Sequence, residues 1–276
     1  MTTRVAIVGA TGKLGGIIRD VVAAEPGFEV HSELDSRSAM SALDGADLVV
    51  DATTPAVSID IVKAAAERGV DIIVGTSGWS AERIARVRPE IEQAGIRAVF
   101  IPNFSLGSVI GSALSAAAAP FFSSIEIIEA HRETKIDSPS GTAVRTAELI
   151  AAARADAGPV AAPHVDQRAR GQQVASVPIH SLRRPGVVAS QSVLLSGPGE
   201  TLTLTHDTID PAAAYAPGIR LVLGAVSRRV AGVEPGRVLI GLDAFLDIGV
   251  RLPAFVDQPP VDEGGVPGQV ARATGA

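Results

Sequence analysis

The run Val5-Ala-Ile-Val8-Gly9-Ala-Thr-Gly12-Lys-Leu-Gly15 passes from a short apolar segment, through glycines spaced three apart, into residues with helical periodicity. The first gap is one residue longer than in the G-x-G-x-x-G pattern, but the physical requirement is the same. A tight turn must bring backbone close to a pyrophosphate and leave N–H groups free at a helix amino terminus. Lys13 adds a positive charge beside that anion. The next apolar segment ends in Glu33-Leu-Asp35, and Asp35 lies 20 positions beyond Gly15, near the separation at which an acid reaches the adenosine ribose. Strand, loop, helix, strand and acid in this order predict a dinucleotide-binding βαβ unit. An acid at 35 favours NAD by repelling a 2′-phosphate, while Arg37 and Lys13 can offset that repulsion. The choice between NADH and NADPH stays open.

Outward from this loop, short apolar segments alternate with helical patterns. Strands are predicted at residues 5–8, 28–34, 48–51, 71–74 and 97–101, with helices over residues 13–24, 57–68 and 81–94. This alternation implies an α/β fold, a Rossmann-type doubly wound parallel sheet. The strands run into Asp51-Ala-Thr-Thr-Pro55, Gly75-Thr-Ser-Gly78 and Pro102-Asn-Phe104. Ligands of such sheets bind outside the carboxyl ends of the strands. Gly75, Thr76, Ser77, Pro102, Asn103 and Phe104 are therefore candidates to line the nicotinamide and its ribose.

After about residue 105 the rhythm changes. A strand at 125–129, a helix at 142–154 and β segments at 174–181, 186–195 and 200–206 read as a second, α+β domain with a mostly antiparallel or mixed sheet. Residues 155–171 read as a loop. A helix at 217–230 and a strand at 238–241 are expected to return to the first domain. The expected division is 1–105 completed by 216–250, then 106–215, with 251–276 a Pro- and Gly-rich tail expected to be disordered. The stretch 98–125 carries no charge. Pro102, Asn103, Pro120 and several serines make it a strand end, a loop and a buried helix rather than a membrane span.

With 46% hydrophobic but only 3% aromatic residues, the composition suits aliphatic helices packed on a buried parallel sheet. There is no cysteine, which excludes disulfides and thiolate metal sites and fits a reducing cytoplasm. No His, Asp and Glu cluster has metal-ligand spacing, so no metal is expected. The net charge is −6 and no basic stripe occurs, so nucleic acid is not an expected partner. The amino terminus has neither the length nor the cleavage pattern of a signal peptide, and a cytoplasmic location is expected.

The densest polar chemistry lies in Glu126-Ile-Ile-Glu129-Ala-His131-Arg-Glu-Thr-Lys135-Ile-Asp137-Ser-Pro-Ser140-Gly-Thr-Ala143, which joins a strand to a helix. Ser140 is placed to cap the helix, Gly141 permits close approach, and the first helical N–H groups near Thr142 form an anion site. Arg132 and Lys135 add cations, and His131 can move a proton near neutral pH. A small acidic substrate is expected. His180 and His206, on predicted strands, read as structural; His31 and His164 carry no supporting pattern.

At these residues the sequence resembles the 4-hydroxy-tetrahydrodipicolinate reductases, also called dihydrodipicolinate reductases, of the diaminopimelate–lysine pathway. The resemblance spans residues 4–249. It rests on the glycine loop, Glu33-Leu-Asp35, Val74-Gly-Thr-Ser-Gly78, Pro102-Asn-Phe-Ser105, Lys135 with Asp137-Ser-Pro-Ser-Gly-Thr-Ala143, Pro178-Ile-His-Ser-Leu-Arg183 and Gly199-Glu-Thr-Leu. It implies hydride transfer from the nicotinamide to a cyclic unsaturated dicarboxylate, with His131 as proton donor and acceptor and Lys135 as second proton donor. Gly141 and Thr142 would bind a substrate carboxylate. Gly9, Ala10, Thr11, Gly12, Lys13, Leu14, Asp35, Gly75, Thr76, Ser77, Ile101, Pro102, Asn103 and Phe104 would hold the cofactor, and the second domain would assemble a homotetramer.

Three departures stand out. Arg132 occupies the place of a second histidine that contacts substrate; it can pair with a carboxylate but cannot carry a proton near neutral pH. Asp51-Ala-Thr replaces Asp-Phe-Thr, and an expected arginine is missing around Asp210-Pro-Ala-Ala-Ala-Tyr215. Two other readings are a reductase retuned to another small dicarboxylate or imine, and a non-catalytic NAD(P)-sensing module.

Overall fold

Apolar periodicity and turn chemistry set the first part of the computed structural model, which describes residues 2–227 and 234–249. Here β1 (Thr3–Val8), α1 (Lys13–Ala24), β2 (Phe28–Leu34), β3 (Leu48–Asp51), α2 (Pro55–Glu67), β4 (Asp71–Val74), α3 (Ala81–Ala94) and β5 (Ala98–Phe100) follow one another. All four residues of β3 are buried, as a central parallel strand covered on both faces requires. Helix α3 starts where the Ser80 hydroxyl accepts a hydrogen bond from Arg83 N and stops at Gly95, whose φ of 64° is left-handed.

The second part comprises α4 (Leu106–Ala118), β6 (Ser124–His131), α5 (Gly141–Ala153), β7 (Gln172–Val174), β8 (Val177–Arg183), β9 (Ala189–Gly197) and β10 (Glu200–Thr208), followed by α6 (Pro211–Ser227) and β11 (Val238–Ile240). One sheet has the order β11-β5-β4-β3-β1-β2 and the other β10-β9-β6-β8-β7. The pairs of the first sheet are all parallel. In the second, β6 and β8 run parallel and the remaining pairs antiparallel. Strand order reverses beside β1, so the crevice of the doubly wound sheet opens between the carboxyl ends of β1 and β3.

Two apolar clusters cover the faces of the first sheet. Val49, Ile72, Ile84 and Ile91 lie on one side, with Val5, Ile7, Ile18 and residues of α6 on the other. Ile219, Val222, Leu223 and Val226 of α6 belong to that second cluster, so the late helix packs on the early sheet. A third cluster fills the space between the second sheet and α5. Among the described residues, no helix is long and apolar enough to cross a membrane; the charge-free stretch supplies β5, a loop and α4.

Some boundaries differ from expectation. Residues 174–181 are not one strand. Ala175 and Ser176 take positive φ values of 48° and 70°, which turns the chain sharply between β7 and β8. Neither residue is glycine or asparagine, and the turn gains a tertiary tie because Val160 N donates to the Ser176 hydroxyl at 3.2 Å. Helix α6 begins at Pro211, six residues before the expected start at 217. Asp210 accepts from Ala212 N at 2.9 Å, so Asp-Pro acts as a helix cap followed by proline in the first turn rather than as a loop. The expected end of that helix at 230 and the tail 251–276 lie outside the described residues.

Candidate active site

The glycine loop is shaped by its neighbours. Gly9 has φ +87°, and a Cβ there would sit 2.5 Å from the Ala52 carbonyl oxygen. A Cβ on Gly15 would sit 2.1 Å from the Gly9 carbonyl oxygen, so α1 presses directly on the loop. Ala10 is buried, while Thr11, Gly12 and Lys13 are exposed and Leu14 is half-buried. No side chain caps α1 at Gly12, and its first turn holds no acidic residue. Its amino terminus therefore retains the positive field and the open backbone that a pyrophosphate needs. These residues fit a dinucleotide.

Further along the crevice, a Cβ on Gly75 would lie 2.8 Å from Phe104 Cε2 and 3.3 Å from both the Asp51 carbonyl oxygen and Leu14 Cδ2. Four segments thus converge at Gly75. Ile101 is fully buried and Thr76 is buried, whereas Ser77 and Pro102 are exposed. Thr53 N donates to both Asp51 Oδ1 (3.0 Å) and Thr76 Oγ1 (2.9 Å). The buried Asp51 carboxylate also accepts from the Ser58 hydroxyl, which in turn accepts from Trp79 Nε1 at 2.9 Å. Asp35 follows the end of β2. Hydrogen bonds from Arg37 N, the Arg37 guanidinium and the Ser38 hydroxyl hold its carboxyl below the ordinary range.

The second group of site residues lies around the end of β6. Strand alternation puts Ile125, Ile127, Glu129 and His131 on one face. Glu129 is fully buried, and the His131 imidazole beyond it is 17% exposed. His131 Nδ1 and Glu129 Oε2 are 2.6 Å apart. Arg183, the β8 residue in register with His131, donates from Nη1 to both Glu129 oxygens at 3.0 and 3.1 Å. Ser140 N donates to Glu129 Oε1 at 3.3 Å. Burial alone would raise the Glu129 carboxyl, but hydrogen bonds from His131, Ser181 and Arg183 bring it down to about 2.

Lys135 Nζ donates to Asp137 Oδ1 at 2.7 Å. Ser140 caps α5, accepting from Ala143 N at 3.2 Å, and a Cβ on the exposed Gly141 would meet nothing within 4 Å. The start of α5 thus faces open space beside Gly141. Thr142 Oγ1 accepts from Asn103 Nδ2 at 3.3 Å. Asn103 itself is fixed by Ser108 Oγ at 2.9 Å and by Ser105 N at 2.9 Å. Arg132 is exposed and lies within electrostatic reach of Tyr215 on α6, whose hydroxyl is pushed up by burial against the opposing pull of the Arg132 charge.

The sequence-derived candidates thus form two groups, one around Gly9, Leu14, Gly75 and Phe104, the other around His131, Lys135, Gly141 and Thr142, linked by Asn103. Glu129, Arg183 and Asp51 were not among the candidates. A signal for Glu129 exists: an acid two residues before a histidine on a strand shares its face. Arg183 has no such local signal. His180 and His206 have polar contacts, His180 Nε2 with Glu126 at 2.8 Å and His206 Nε2 with the Ser105 hydroxyl at 3.3 Å.

The chain matches the family described as dihydrodipicolinate reductase, with its amino-terminal part over residues 3–104 and its carboxyl-terminal part over 107–240. It is 51% identical to the 4-hydroxy-tetrahydrodipicolinate reductase of Clavibacter sepedonicus, covering all of both chains. It is 42% identical to that of Streptomyces coelicolor (strain ATCC BAA-471 / A3(2) / M145), over 89% of this chain and 98% of the other. Among solved structures, a dipicolinate-bound dihydrodipicolinate reductase from Paenisporosarcina sp. TG-14 superposes with a TM-score of 0.72 at 27% identity, over 89% of this chain and 100% of that one. GenD2 from gentamicin A biosynthesis, in complex with NAD, shares the fold alone, with a TM-score of 0.56 at 16% identity. Joined to a glycine cradle on a parallel sheet and a histidine–lysine turn on a second one, these matches establish that the chain belongs to the dihydrodipicolinate reductase family.

Proposed function

We propose that the chain reduces 4-hydroxy-tetrahydrodipicolinate, by way of dihydrodipicolinate, to tetrahydrodipicolinate in diaminopimelate and lysine biosynthesis. Overall, the hydroxylated substrate, one NADH or NADPH and one proton give tetrahydrodipicolinate, the oxidised cofactor and water. The loop from Gly9 to Leu14 holds the pyrophosphate, Asp35 the adenosine ribose, and Gly75, Thr76, Ser77, Ile101, Pro102, Asn103 and Phe104 the nicotinamide half. When bound, the reduced nicotinamide supplies a hydride to the unsaturated ring. The amino terminus of α5 at Gly141 and Thr142 receives a substrate carboxylate, and Arg132 offers a cation to the other. His131 gives the proton that completes the addition, and Lys135 is the second proton donor.

The observation that carries this reading is the hydrogen bond of 3.3 Å from Asn103 Nδ2 to Thr142 Oγ1. It joins a strand-end loop of the dinucleotide sheet to the carboxylate-attracting turn, the juxtaposition that hydride transfer needs. The test is a coupled assay in which aspartate semialdehyde, pyruvate and the preceding synthase generate substrate. Oxidation of NADH or NADPH is expected, and is expected to fall by about a hundredfold or more, to a small residual rate, in His131→Ala and Lys135→Ala. Cofactor binding without oxidation would overturn the reading.

In this reading residues 1–105 with 216–250 carry the cofactor and 106–215 the substrate and the assembly contacts of a homotetramer, in the cytoplasm. Support for assembly comes from the second sheet. Ile128 and Leu182, on the face opposite Ile125 and Ile127, are 38% and 43% exposed. Light scattering of the full chain tests it; a monomer that Ile128→Glu leaves unchanged would refute it.

A further inference from the structure

We propose that Glu129 is a positioning residue for His131, and that Arg183 ties the same carboxylate to the loop that bears Lys135. This rests on the reading of His131 and Lys135 as proton carriers, and deepens it.

Glu129 ends the buried face of β6, where alternation would place another aliphatic side chain after Ile125 and Ile127. A carboxylate with no solvent exposure persists there only if its oxygens are satisfied. Four groups do so: His131 Nδ1 at 2.6 Å, Arg183 Nη1 at 3.0 and 3.1 Å, Ser140 N at 3.3 Å and the Ser181 hydroxyl. An ionised carboxylate only accepts hydrogen bonds, so the proton of its bond to His131 sits on Nδ1. That fixes the ring plane and leaves Nε2 as the nitrogen that takes or gives the working proton.

Arg183 extends the arrangement. Its guanidinium donates to the Lys135 carbonyl at 3.3 Å and to the Asp137 carbonyl at 2.6 Å. The backbone on both sides of Ile136 therefore hangs from the cation that neutralises Glu129. One ion pair then sets both the imidazole of His131 and the base of the Lys135 side chain. A purely structural ion pair would hold the loop equally well but would have no need of the bond to the imidazole.

The test uses the full-length protein and two independent readouts. Long-range nitrogen–proton NMR of the histidine side chains, with His131 assigned by its loss in His131→Ala, is expected to give the Nδ1–H tautomer in the wild type. It should show that tautomer weakened or lost in Glu129→Gln. In the coupled assay, Glu129→Gln is expected to lower kcat between about tenfold and a thousandfold. The KM for substrate and the Kd for NADH should stay within about twofold, because no direct contact is removed. In a His131→Ala background the same substitution should cost almost nothing further, since the two residues act as a unit.

An Nε2–H tautomer in the wild type would overturn the proposal. So would an equal loss of kcat from Glu129→Gln in both backgrounds. If Glu129→Gln fails to fold, as judged by NADH titration, the wild-type tautomer still decides. A wild type without reductase activity would sink the proposed reaction, yet the NMR would still report whether Glu129 sets the ring.

Discussion

Glu129→Gln also has a consequence for stability against acid. The folded carboxyl sits at about 2, against an ordinary value of 4.5. A gap of about 2.5 units at 1.36 kcal/mol per unit is about 3 kcal/mol of stabilisation. The folded value lies below the unfolded one, so this contribution is complete above about pH 4.5 and disappears as pH falls toward 2. At about pH 3 roughly 2 kcal/mol of it is already gone. The glutamine variant has no carboxyl to titrate at this position, and every other carboxylate titrates in both proteins. Urea unfolding followed by circular dichroism at about pH 5 and about pH 3, both below the ordinary imidazole value of about 6.5, should therefore find the stability gap between the two proteins narrowed by about 2 kcal/mol at the lower pH. A gap of the same size at both values would mean that His131, Ser181 and Arg183 do not hold the carboxyl down, and the electrostatic account of the site would fail.

Three further outcomes are expected. Gly75→Ala places a Cβ 2.8 Å from Phe104 Cε2, so the ring must shift; overpacking of this kind costs about 1–3 kcal/mol, and calorimetric titration should find NADH bound at least about tenfold more weakly, unchanged affinity refuting the placement of Gly75 on the cofactor floor. Asn103→Ala removes the hydrogen bond to Thr142, worth about 1 kcal/mol or about fivefold, and should raise the KM for the dicarboxylate by that factor in the coupled assay; an unaltered KM would show that the bond is idle in catalysis. Arg37 is 89% exposed and paired to Asp35 at 3.0 Å, so Arg37→Ala removes a cation that can leave Asp35 for a 2′-phosphate; fluorescence titration should find NADPH weakened more than NADH, and equal weakening would exclude that role.

What the sequence made readable was whatever depends on neighbours along the chain. Helices α1 and α3 and strands β2, β3 and β4 run where periodicity and capping residues put them, and the glycine loop announces itself because its spacing is a local steric requirement. The β7–β8 turn did not, since Ala175 and Ser176 adopt positive φ without the glycine or asparagine that usually marks it. The early start of α6 was hidden because Asp-Pro reads equally as a turn and as a cap. In the candidate site, His131 and Lys135 were found from one continuous segment. Arg183 was not, because its pairing with Glu129 depends on the register of β8 beside β6. The Asn103–Thr142 bond spans 39 positions and depends on how α4 and α5 pack, which no local pattern encodes.

The buried ion pair helps separate a structural from a functional account of this region. Charges withdrawn from water lose hydration that their mutual attraction barely replaces, and apolar residues of similar size often hold a fold as well or better. Glu129 and Arg183 would thus be a poor choice if cohesion of the second sheet were all that was required, with Val193 and Leu195 already packing its core. What an aliphatic pair cannot do is accept a proton-bearing Nδ1 and hold two loop carbonyls at once. The carboxylate is therefore better explained by the histidine it faces than by the sheet that surrounds it. That explanation fails if a Glu129→Met, Arg183→Leu double variant keeps both the wild-type kcat and the wild-type His131 tautomer.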